Sequence, residues 1–331
     1  MTANSFLAME GLLNRLVIIG ARPMTECIVA FALSAGMSVH VACAPRQAAI
    51  HTAEGKNLGD RLAEMGAELK VVERLGEDVF TLANSETIAL CFGYPFEITA
   101  KLVESFGGRI INTHFSRLPE GAGGGGFSWP ILFGARRGTI SFHLMLPGER
   151  DNGPIIQQIG CDFPKHVRFP IDYDAHCEQI AVPALIDLLD RLGKGERFSL
   201  RPQDRQCGTF WPRLDTSSQA YIDWGWHGEE IERFVLAFSA PFSGAMTFVG
   251  KRRKLTILDC RFEPNHNAGH PFSHGLVFHK TGGKFHVSCA GGLVLINEKD
   301  LKSNPLPDVG DRLFTPRAVL EQALELHPGF I

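Results

Sequence analysis

Residues 16–44 read LVIIGARPMTECIVAFALSAGMSVHVACA, and this stretch decides the fold of the first half of the chain. Residues 16–20 form a short apolar run that ends in glycine, which is typical of a buried strand. A helical pattern extends from about residue 23 to residue 35, and a second apolar run covers 38–44. The order of strand, helix and strand predicts the start of an α/β domain.

The same alternation continues downstream of this unit. The predicted elements are a helix over 58–65, a strand over 69–72, an apolar run over 88–92, a helix over 97–106 and a strand over 109–112. Alternating strands and helices predict a doubly wound, Rossmann-like parallel sheet. Ligands of such sheets bind beyond the carboxyl ends of the strands, so functional residues are expected directly after strand ends.

The second part of the chain has a different pattern. A long helical segment after Asp151 ends at the Gly-Lys-Gly sequence of residues 193–195, and a polar stretch follows. Beyond it, one helix over 228–239 accompanies short strands that are separated by Gly and Pro, so we predict a small β-barrel-like domain with one helix. The predicted boundaries are an N-terminal extension over 1–15, a first domain over 16–196, a linker over 197–210 and a C-terminal domain over 211–331.

The composition of the 331-residue chain argues against several classes of protein. Its 33 Lys and Arg against 36 Asp and Glu give a net charge of −3, whereas nucleic-acid-binding proteins usually carry a basic excess. No apolar run approaches the roughly 20 residues of a membrane-spanning helix, and the N-terminus lacks the pattern of a signal peptide. The eight cysteines contain no C-x-x-C pair and mostly lie among apolar residues. We therefore expect a reduced, cytoplasmic protein that binds neither nucleic acid nor membranes.

Glycine is the outlier in this composition. Of the 35 glycines, 12 lie between Lys101 and Gly160, and five of these fall within residues 121–126. A local excess of glycine indicates backbone that side chains would obstruct. We interpret residues 121–126 as the border of a ligand pocket, and a flexible surface loop is the alternative.

The densest polar cluster, residues 111–119, reads INTHFSRLP and comes directly after a predicted strand. Asn112 and His114 are two apart, so on an extended segment their side chains point the same way. An amide and an imidazole can together stabilise negative charge on a carbonyl oxygen while the histidine moves a proton. Downstream, Asp151 supplies a carboxylate that can hold the imidazole or order a water. For this short motif alone, a structural histidine near a turn is the alternative.

Neither a metal site nor a dinucleotide-binding loop is expected from the motifs. His114, His143 and Asp151 lack H-E-x-x-H or C-x-x-C spacing, and an asparagine stands beside the first histidine. The segment that follows the first strand, residues 20–23, lacks the G-x-G-x-x-G pattern of dinucleotide binding.

The polar cluster resembles the catalytic core of the 10-formyltetrahydrofolate-dependent formyltransferases. The matching pattern is Asn112-x-His114-x-Ser116-x-Leu118-Pro119, a Gly-rich loop, Gly134, a strand with Ser141, and Asp151-x-Gly153. Upstream, residues 92–96 (FGYPF) resemble the segment whose backbone receives the pterin ring. Residues 209–213, 221–224, 231–237 and 241–247 resemble the C-terminal domain shared by methionyl-tRNA formyltransferase and the nucleotide-linked amino-sugar N-formyltransferases. The resemblance covers nearly the whole chain after Arg15.

The resemblance implies an enzyme, an N-formyltransferase, and a role for each matching residue. The implied catalytic residues are Asn112, His114 and Asp151. The implied co-substrate is 10-formyltetrahydrofolate, and the residues implied to bind it are Phe92, Gly93, Tyr94, Phe96 and Leu146. The residues implied to face the acceptor are Ser116, Gly123, Gly124 and Gly125.

Three positions depart from the pattern of the family. The common Arg-Gly pair after Leu118-Pro119 is replaced by Ala122-Gly123, which puts acceptor binding by this loop in doubt. One extra residue lies before Asp151, within residues 146–150, so the loop that faces the folate is expected to differ in shape. The usual threonine on the preceding strand is Ser141, which keeps the hydroxyl.

The charge balance favours a small acceptor amine, most of all a nucleotide-linked amino sugar. Residues 187–205 hold five Lys and Arg against four Asp and Glu, whereas binding of tRNA demands a basic surface. Methionyl-tRNA formylation is the alternative, and other small amines are also open. A further alternative from another class is a catalytically inactive folate- or nucleotide-binding homologue. The sequence leaves open whether the protein forms a homodimer.

Overall fold

The computed structural model describes residues 6–9, 11–96, 98–148, 150–250, 253–264 and 270–325. Its contacts divide the chain into two compact units. Unit 1 comprises Met1–Ala122, Arg137–Asp162 and Ala175–Phe210, and unit 2 comprises Gly123–Arg136, Phe163–Asp174 and Trp211–Ile331. The two units interleave along the chain, and the boundaries derived from sequence stay a prediction.

The strands and helices have the following bounds. The strands are β1 (Phe6–Leu7), β2 (Arg15–Ile19), β3 (Ser38–Cys43), β4 (Glu68–Val71), β5 (Thr87–Cys91), β6 (Ile110–His114), β7 (Arg137–Leu144), β8 (Ile155–Asp162), β9 (Phe198–Ser199), β10 (Ala245–Val249), β11 (Arg253–Ile257), β12 (Arg261–Pro264), β13 (Val277–Thr281), β14 (Lys284–Cys289), β15 (Gly292–Asn297), β16 (Leu301–Lys302) and β17 (Leu313–Phe314). The helices are α1 (Thr25–Ser34), α2 (Pro45–Ala48), α3 (Leu58–Glu64), α4 (Glu77–Phe80), α5 (Ala100–Ser105), α6 (Ser128–Leu132), α7 (Pro170–Gly193), α8 (Thr216–Gln219), α9 (Gly228–Ala237) and α10 (Arg317–Ala323).

Unit 1 contains a seven-stranded sheet in the order β4-β3-β2-β5-β6-β7-β8. The first five strands of this order are parallel, which confirms the Rossmann-like α/β prediction. The last two strands are antiparallel to their neighbours, and the sequence pattern did not predict this. The connection between β7 and β8 is short, and a parallel pair would need a crossover of a dozen or more residues.

The central strands are continuous apolar runs because both faces of the sheet are covered. Leu16, Val17, Ile18 and Ile19 of β2 are fully buried, and every residue of β5 is buried. Strand β8 escaped prediction because it lies at the edge of the sheet and alternates apolar residues with polar ones such as Gln157 and Gln158.

Part of the predicted N-terminal extension is folded onto unit 1. Strand β1 pairs antiparallel with β9, through Phe6 opposite Ser199 and Leu7 opposite Phe198. Strand β2 begins at Arg15, the last residue assigned to the extension. Residues 1–5 and 10 of this segment lie outside the described residues.

Unit 2 contains two four-stranded antiparallel sheets, with the orders β16-β11-β10-β17 and β12-β15-β14-β13. Helix α9 buries Ile231, Phe234 and Val235, as its amphipathic pattern predicts. The prediction of one helix in this domain was wrong, because α8 and α10 are also present. Helix α8 is a single turn and α10 has no buried residue, so neither carries an apolar stripe that a periodicity could reveal. Residues 326–331 of the predicted domain lie outside the described residues.

Within the described ranges, none of the helices combines the length and the apolar character that crossing a bilayer requires.

Candidate active site

The pairing of β6 with β7 places the polar cluster at one end of the central sheet. In this antiparallel ladder Asn112 stands opposite His143, and His114 stands opposite Ser141. Because side chains alternate along a strand, Asn112 and His114 lie on the same face, and so do Ser141 and His143. The four side chains therefore form two facing pairs at the carboxyl end of β6.

Asp151 lies between β7 and β8 and reaches the two predicted catalytic side chains of β6. Its Oδ1 is 3.4 Å from Nδ2 of Asn112 and 3.8 Å from Nδ1 of His114. The side chains of His114 and Asp151 are 15% and 11% exposed. The structure thus brings together the three residues that sequence reasoning named as catalytic, in a position that is sheltered yet open to a ligand.

The backbone at Asp151 is strained, and the surrounding loop holds it. Its φ is +52°, the one positive φ of a residue other than glycine in the described chain. Such a conformation costs about 1–3 kcal/mol and persists only where neighbouring groups impose it. Gln203 imposes it here, since its Nε2 donates to the carbonyls of Asp151 (2.8 Å) and Gly153 (2.7 Å). At Gly153, a Cβ would overlap the carbonyl oxygen of Leu144, so only glycine fits this turn.

Sequence reasoning missed Gln203, which it placed in the polar linker. Nothing in the local pattern marks this glutamine, because its partners are backbone carbonyls about fifty residues away in the chain. Glu149, which belongs to the segment where we expected an inserted residue, lies outside the described residues.

The ring of His114 is fixed by the first glycine of the Gly-rich run. Its Nε2 donates to the carbonyl of Gly121 over 2.8 Å, and the hydroxyl of Ser116 donates to the same oxygen. Because a carbonyl can only accept, Nε2 carries a hydrogen, and Nδ1 is the nitrogen that faces Asp151. Ser116 thus bonds to the same carbonyl as His114, the predicted catalytic histidine, whereas its predicted role was to face the acceptor.

A short polar network supports the turn that follows β6. The hydroxyl of Ser141 donates to the carbonyl of Ser116 over 2.7 Å. Gln158, on β8, donates to Ser141 Oγ (3.0 Å) and to the carbonyl of Leu118 (2.9 Å). The hydroxyl that serine shares with the usual threonine therefore anchors the segment that carries His114.

His143 is the second residue that sequence reasoning did not assign to the site. It is 1% exposed, its Nδ1 donates to the carbonyl of Leu144 (2.9 Å), and its Nε2 lies 3.0 Å from Asn112 Nδ2 and 3.7 Å from Asp151 Oδ1. Burial lowers the pKa of His143 to about 4, and the neighbouring His114 acts in the same direction. From sequence, His143 could have been assigned to the site because it lies two residues after Ser141, and residues two apart on a strand point to the same face.

The five residues implied to bind folate differ widely in exposure. Phe92 is fully buried and Tyr94 is 9% exposed, whereas Phe96 is 43% and Leu146 is 36% exposed. Gln47 donates to the carbonyls of Phe92 (3.3 Å) and Gly93 (3.2 Å). The side chain of Phe92 therefore packs in the core, and this segment can meet a ligand only through its backbone and through its more exposed members.

The three glycines that were predicted to face the acceptor, Gly123, Gly124 and Gly125, belong to unit 2. At Gly125, a Cβ would overlap Trp129 Cδ1 and approach the side chain of Trp211. Close packing against two indoles thus explains this glycine without a ligand. The predicted role of the three glycines toward an acceptor stays a prediction.

The described part of the chain contains no group of three or more His, Cys, Asp or Glu side chains arranged to hold a metal ion.

Comparison with known proteins identifies the C-terminal domain. Residues 216–306 match the family described as formyl transferase, C-terminal domain. The chain carries this C-terminal domain and is similar to formyltransferases in sequence. It is 25% identical over 254 residues to a methionyl-tRNA formyltransferase of Geotalea uraniireducens, with 74% of each chain covered. The family match thus falls within the predicted C-terminal domain over 211–331.

Two solved structures illustrate the fold that this chain shares with known proteins. One is WlaRD, a sugar 3N-formyl transferase in the presence of dTDP and 5-N-formyl-THF, with a TM-score of 0.66 and 16% identity over 87% of this chain and 98% of that one. The other is an N-formyltransferase from Helicobacter canadensis with folinic acid and dTDP-3-aminofucose, with a TM-score of 0.66 and 17% identity over 86% and 98%.

Proposed function

We propose that this protein transfers the formyl group of 10-formyltetrahydrofolate to the primary amine of a nucleotide-linked amino sugar. The observation that carries the proposal is the convergence of Asn112, His114 and Asp151 at the carboxyl end of β6. These three side chains supply an amide donor, an imidazole and a carboxylate, which is the set that acyl transfer to an amine requires. Their presence argues against an inactive folate- or nucleotide-binding homologue.

The reaction begins when the unprotonated amine attacks the formyl carbon, which is bonded to N10 of the folate. The carbonyl electron pair moves onto oxygen and gives a tetrahedral intermediate with an oxyanion. Asn112 donates an amide hydrogen to this oxygen, and His114 stabilises the same charge when it carries the transferred proton. The bond to N10 then breaks, which leaves a formamide on the acceptor and tetrahydrofolate as the second product.

Proton movement in this scheme uses Nδ1 of His114. Its Nε2 is engaged with the carbonyl of Gly121, so Nδ1 is the nitrogen that can take up and release a proton. Asp151 Oδ1, 3.8 Å from this nitrogen, stabilises the imidazolium that forms. The amine loses one proton and N10 gains one, so the catalytic groups return to their starting state.

The pterin of the co-substrate would meet backbone groups of residues 92–94 and the exposed apolar side chains of Phe96 and Leu146. Apolar side chains with a few fixed polar groups are typical of sites that bind flat heteroaromatic ligands. All eight cysteines lie in the described part of the chain and none forms a disulfide, as is usual in a reducing compartment, so we place the reaction in the cytoplasm.

The choice of a small acceptor rests on charge and on the loop that follows the catalytic strand. The net charge of −3 offers no general attraction to tRNA, and Ala122-Gly123 replaces the Arg-Gly pair expected of the family. The two solved neighbours named above are sugar or N-formyl transferases seen with dTDP or a dTDP-linked amino sugar. Transfer to methionyl-tRNA is the second candidate, because the relative found by sequence is a methionyl-tRNA formyltransferase.

Release of tetrahydrofolate tests the proposal. The protein is incubated with 10-formyltetrahydrofolate and, in parallel, with pools of aminated nucleotide sugars or with charged initiator tRNA. We expect release only with a nucleotide sugar. Release with tRNA alone would show that the acceptor is methionyl-tRNA and not a nucleotide sugar. No release with any amine would favour a binding protein without transferase activity.

A further inference from the structure

We propose that His143 is a positioning residue of the transfer reaction, which orients the amide of Asn112 so that an N–H group faces the reacting carbonyl. The inference rests on the proposed function, because it concerns the same site. It depends on the direction of the hydrogen bond between Asn112 and His143, and this direction can be measured without an assay of activity.

The hydrogen-bond partners of His143 fix its tautomer. Nδ1 lies 2.9 Å from the carbonyl oxygen of Leu144, which can only accept, so the ring hydrogen sits on Nδ1. In the neutral ring Nε2 then presents a lone pair. Asn112 Nδ2, 3.0 Å away, must be the donor of this second bond. The opposite orientation of the amide would place two acceptors against each other.

This orientation determines what Asn112 offers to a substrate. The amide nitrogen carries two hydrogens, and one of them is engaged with His143. The second is directed toward Asp151 Oδ1 over 3.4 Å, which is long for a bond between nitrogen and a carboxylate. A carbonyl oxygen that gains negative charge can compete for this hydrogen. If the amide turned over, an oxygen would face the oxyanion and would repel it.

The surroundings keep the ring neutral. His143 is buried, its strand neighbour Leu144 supplies the carbonyl, His114 on β6 has its ring centroid 6.3 Å away, and Asp151 contributes a carboxylate oxygen 3.7 Å from Nε2. Burial and the charge of His114 outweigh the carboxylate, so the pKa falls to about 4. A proton on Nε2 would set a donor against the donor of Asn112 and would remove the reason for its orientation.

The first arm of the test uses enzyme variants. His143→Leu removes the acceptor and is expected to lower kcat about 10- to 100-fold with little change in the KM for 10-formyltetrahydrofolate, less than the loss of an oxyanion donor. His143→Gln can accept from Asn112 and donate to Leu144, so it is expected to retain most of kcat. His40→Leu is the matched control, since His40 lies on β3 of the same sheet and pairs with Glu68. A purely structural role predicts equal losses for the leucine and glutamine variants.

The second arm reads the tautomer in the wild-type protein. Nitrogen-15 NMR of labelled histidine is expected to show His143 protonated on Nδ1 alone at neutral pH and still neutral at pH 5.5. A hydrogen on Nε2, or a doubly protonated ring at pH 5.5, would overturn the inference even if formyl transfer is confirmed. If no amine releases tetrahydrofolate, the proposed function fails and the NMR arm still decides how His143 holds Asn112. The NMR arm also decides the question if a variant fails to fold.

Discussion

The two sides of the candidate site are held by different means. Asn112 and His143 lie on paired strands, where the ladder of β6 and β7 sets their positions. Asp151 lies in a loop, where a positive φ is maintained by Gln203 and by the tight turn at Gly153. We therefore expect substitutions on the strand side to act mainly through the loss of a functional group. Substitutions on the loop side should act mainly through the loss of contacts that hold Asp151 in place.

The largest effect is expected on the strand side. Asn112→Ala removes the amide donor but leaves the backbone ladder intact, so kcat should fall about 100- to 1000-fold. Steady-state release of tetrahydrofolate measures this loss. Asn14→Ala is a control, because Asn14 bonds to Glu86 away from the site. Near-normal turnover in Asn112→Ala would remove this residue from the catalytic set.

On the loop side, loss of support should reduce both activity and stability. Gln203→Ala deletes two hydrogen bonds to carbonyls of the Asp151 loop, and we expect about 1–3 kcal/mol of lost stability. We also expect a fall in kcat of roughly tenfold, since a misplaced catalytic group acts through geometry. Gln157→Ala, an exposed glutamine on β8, is the matched control. Equal behaviour of the two variants in chemical denaturation and turnover would show that Gln203 does not hold the loop.

Acid should destabilise the strand side through His143. Its pKa is about 4 in the folded protein and near 6.5 when unfolded, so the unfolded state binds more protons between these values. The free energy of unfolding is therefore not reduced by this histidine above about pH 6.5. It falls as the pH is lowered toward 4, by up to about 1.4 kcal/mol per pH unit. When urea unfolding is measured across this range, the free energy of unfolding should change less steeply with pH for His143→Gln than for the wild type. Identical slopes would mean that His143 titrates normally.

The smallest effect concerns the strain at Asp151. Glycine adopts a positive φ without the cost that a side chain adds, so Asp151→Gly should be more stable than Asp151→Ala by about 1 kcal/mol. Both variants lose the carboxylate and should lose activity alike. Denaturation curves of the pair make the comparison. A more stable alanine variant would show that the backbone at this position is not strained.

The comparison also explains which parts of the molecule could be predicted from sequence. The period of two along a strand sufficed to place Asn112 and His114 on one face, and alternating apolar runs predicted the parallel part of the sheet. Asp151 could be suggested from sequence as a carboxylate for the imidazole, but only the resemblance to a family implied its catalytic role, because a loop residue has no periodicity. The signal for His143 was its spacing of two residues from Ser141, whereas Gln203 acts through partners on another segment and no local pattern encodes such contacts.

The same reasoning applies to the glycine-rich run. Its excess of glycine was visible in the composition, and it suggested room for a ligand. The structure supplies two other reasons: the carbonyl of Gly121 holds His114, and Gly125 packs against Trp129 and Trp211. Composition can thus locate a constrained backbone, but the origin of the constraint depends on neighbours that only the fold brings together.

The fate of the formyl carbon tests the proposed transfer. Wild-type protein is mixed with 10-formyltetrahydrofolate that carries carbon-13 in the formyl group and with aminated nucleotide sugars, and the products are analysed by NMR and mass spectrometry. We expect a labelled formamide on one nucleotide sugar, and the loss of this product in Asn112→Ala. Label that ends only in formate, or on methionyl-tRNA when this is also supplied, would contradict it.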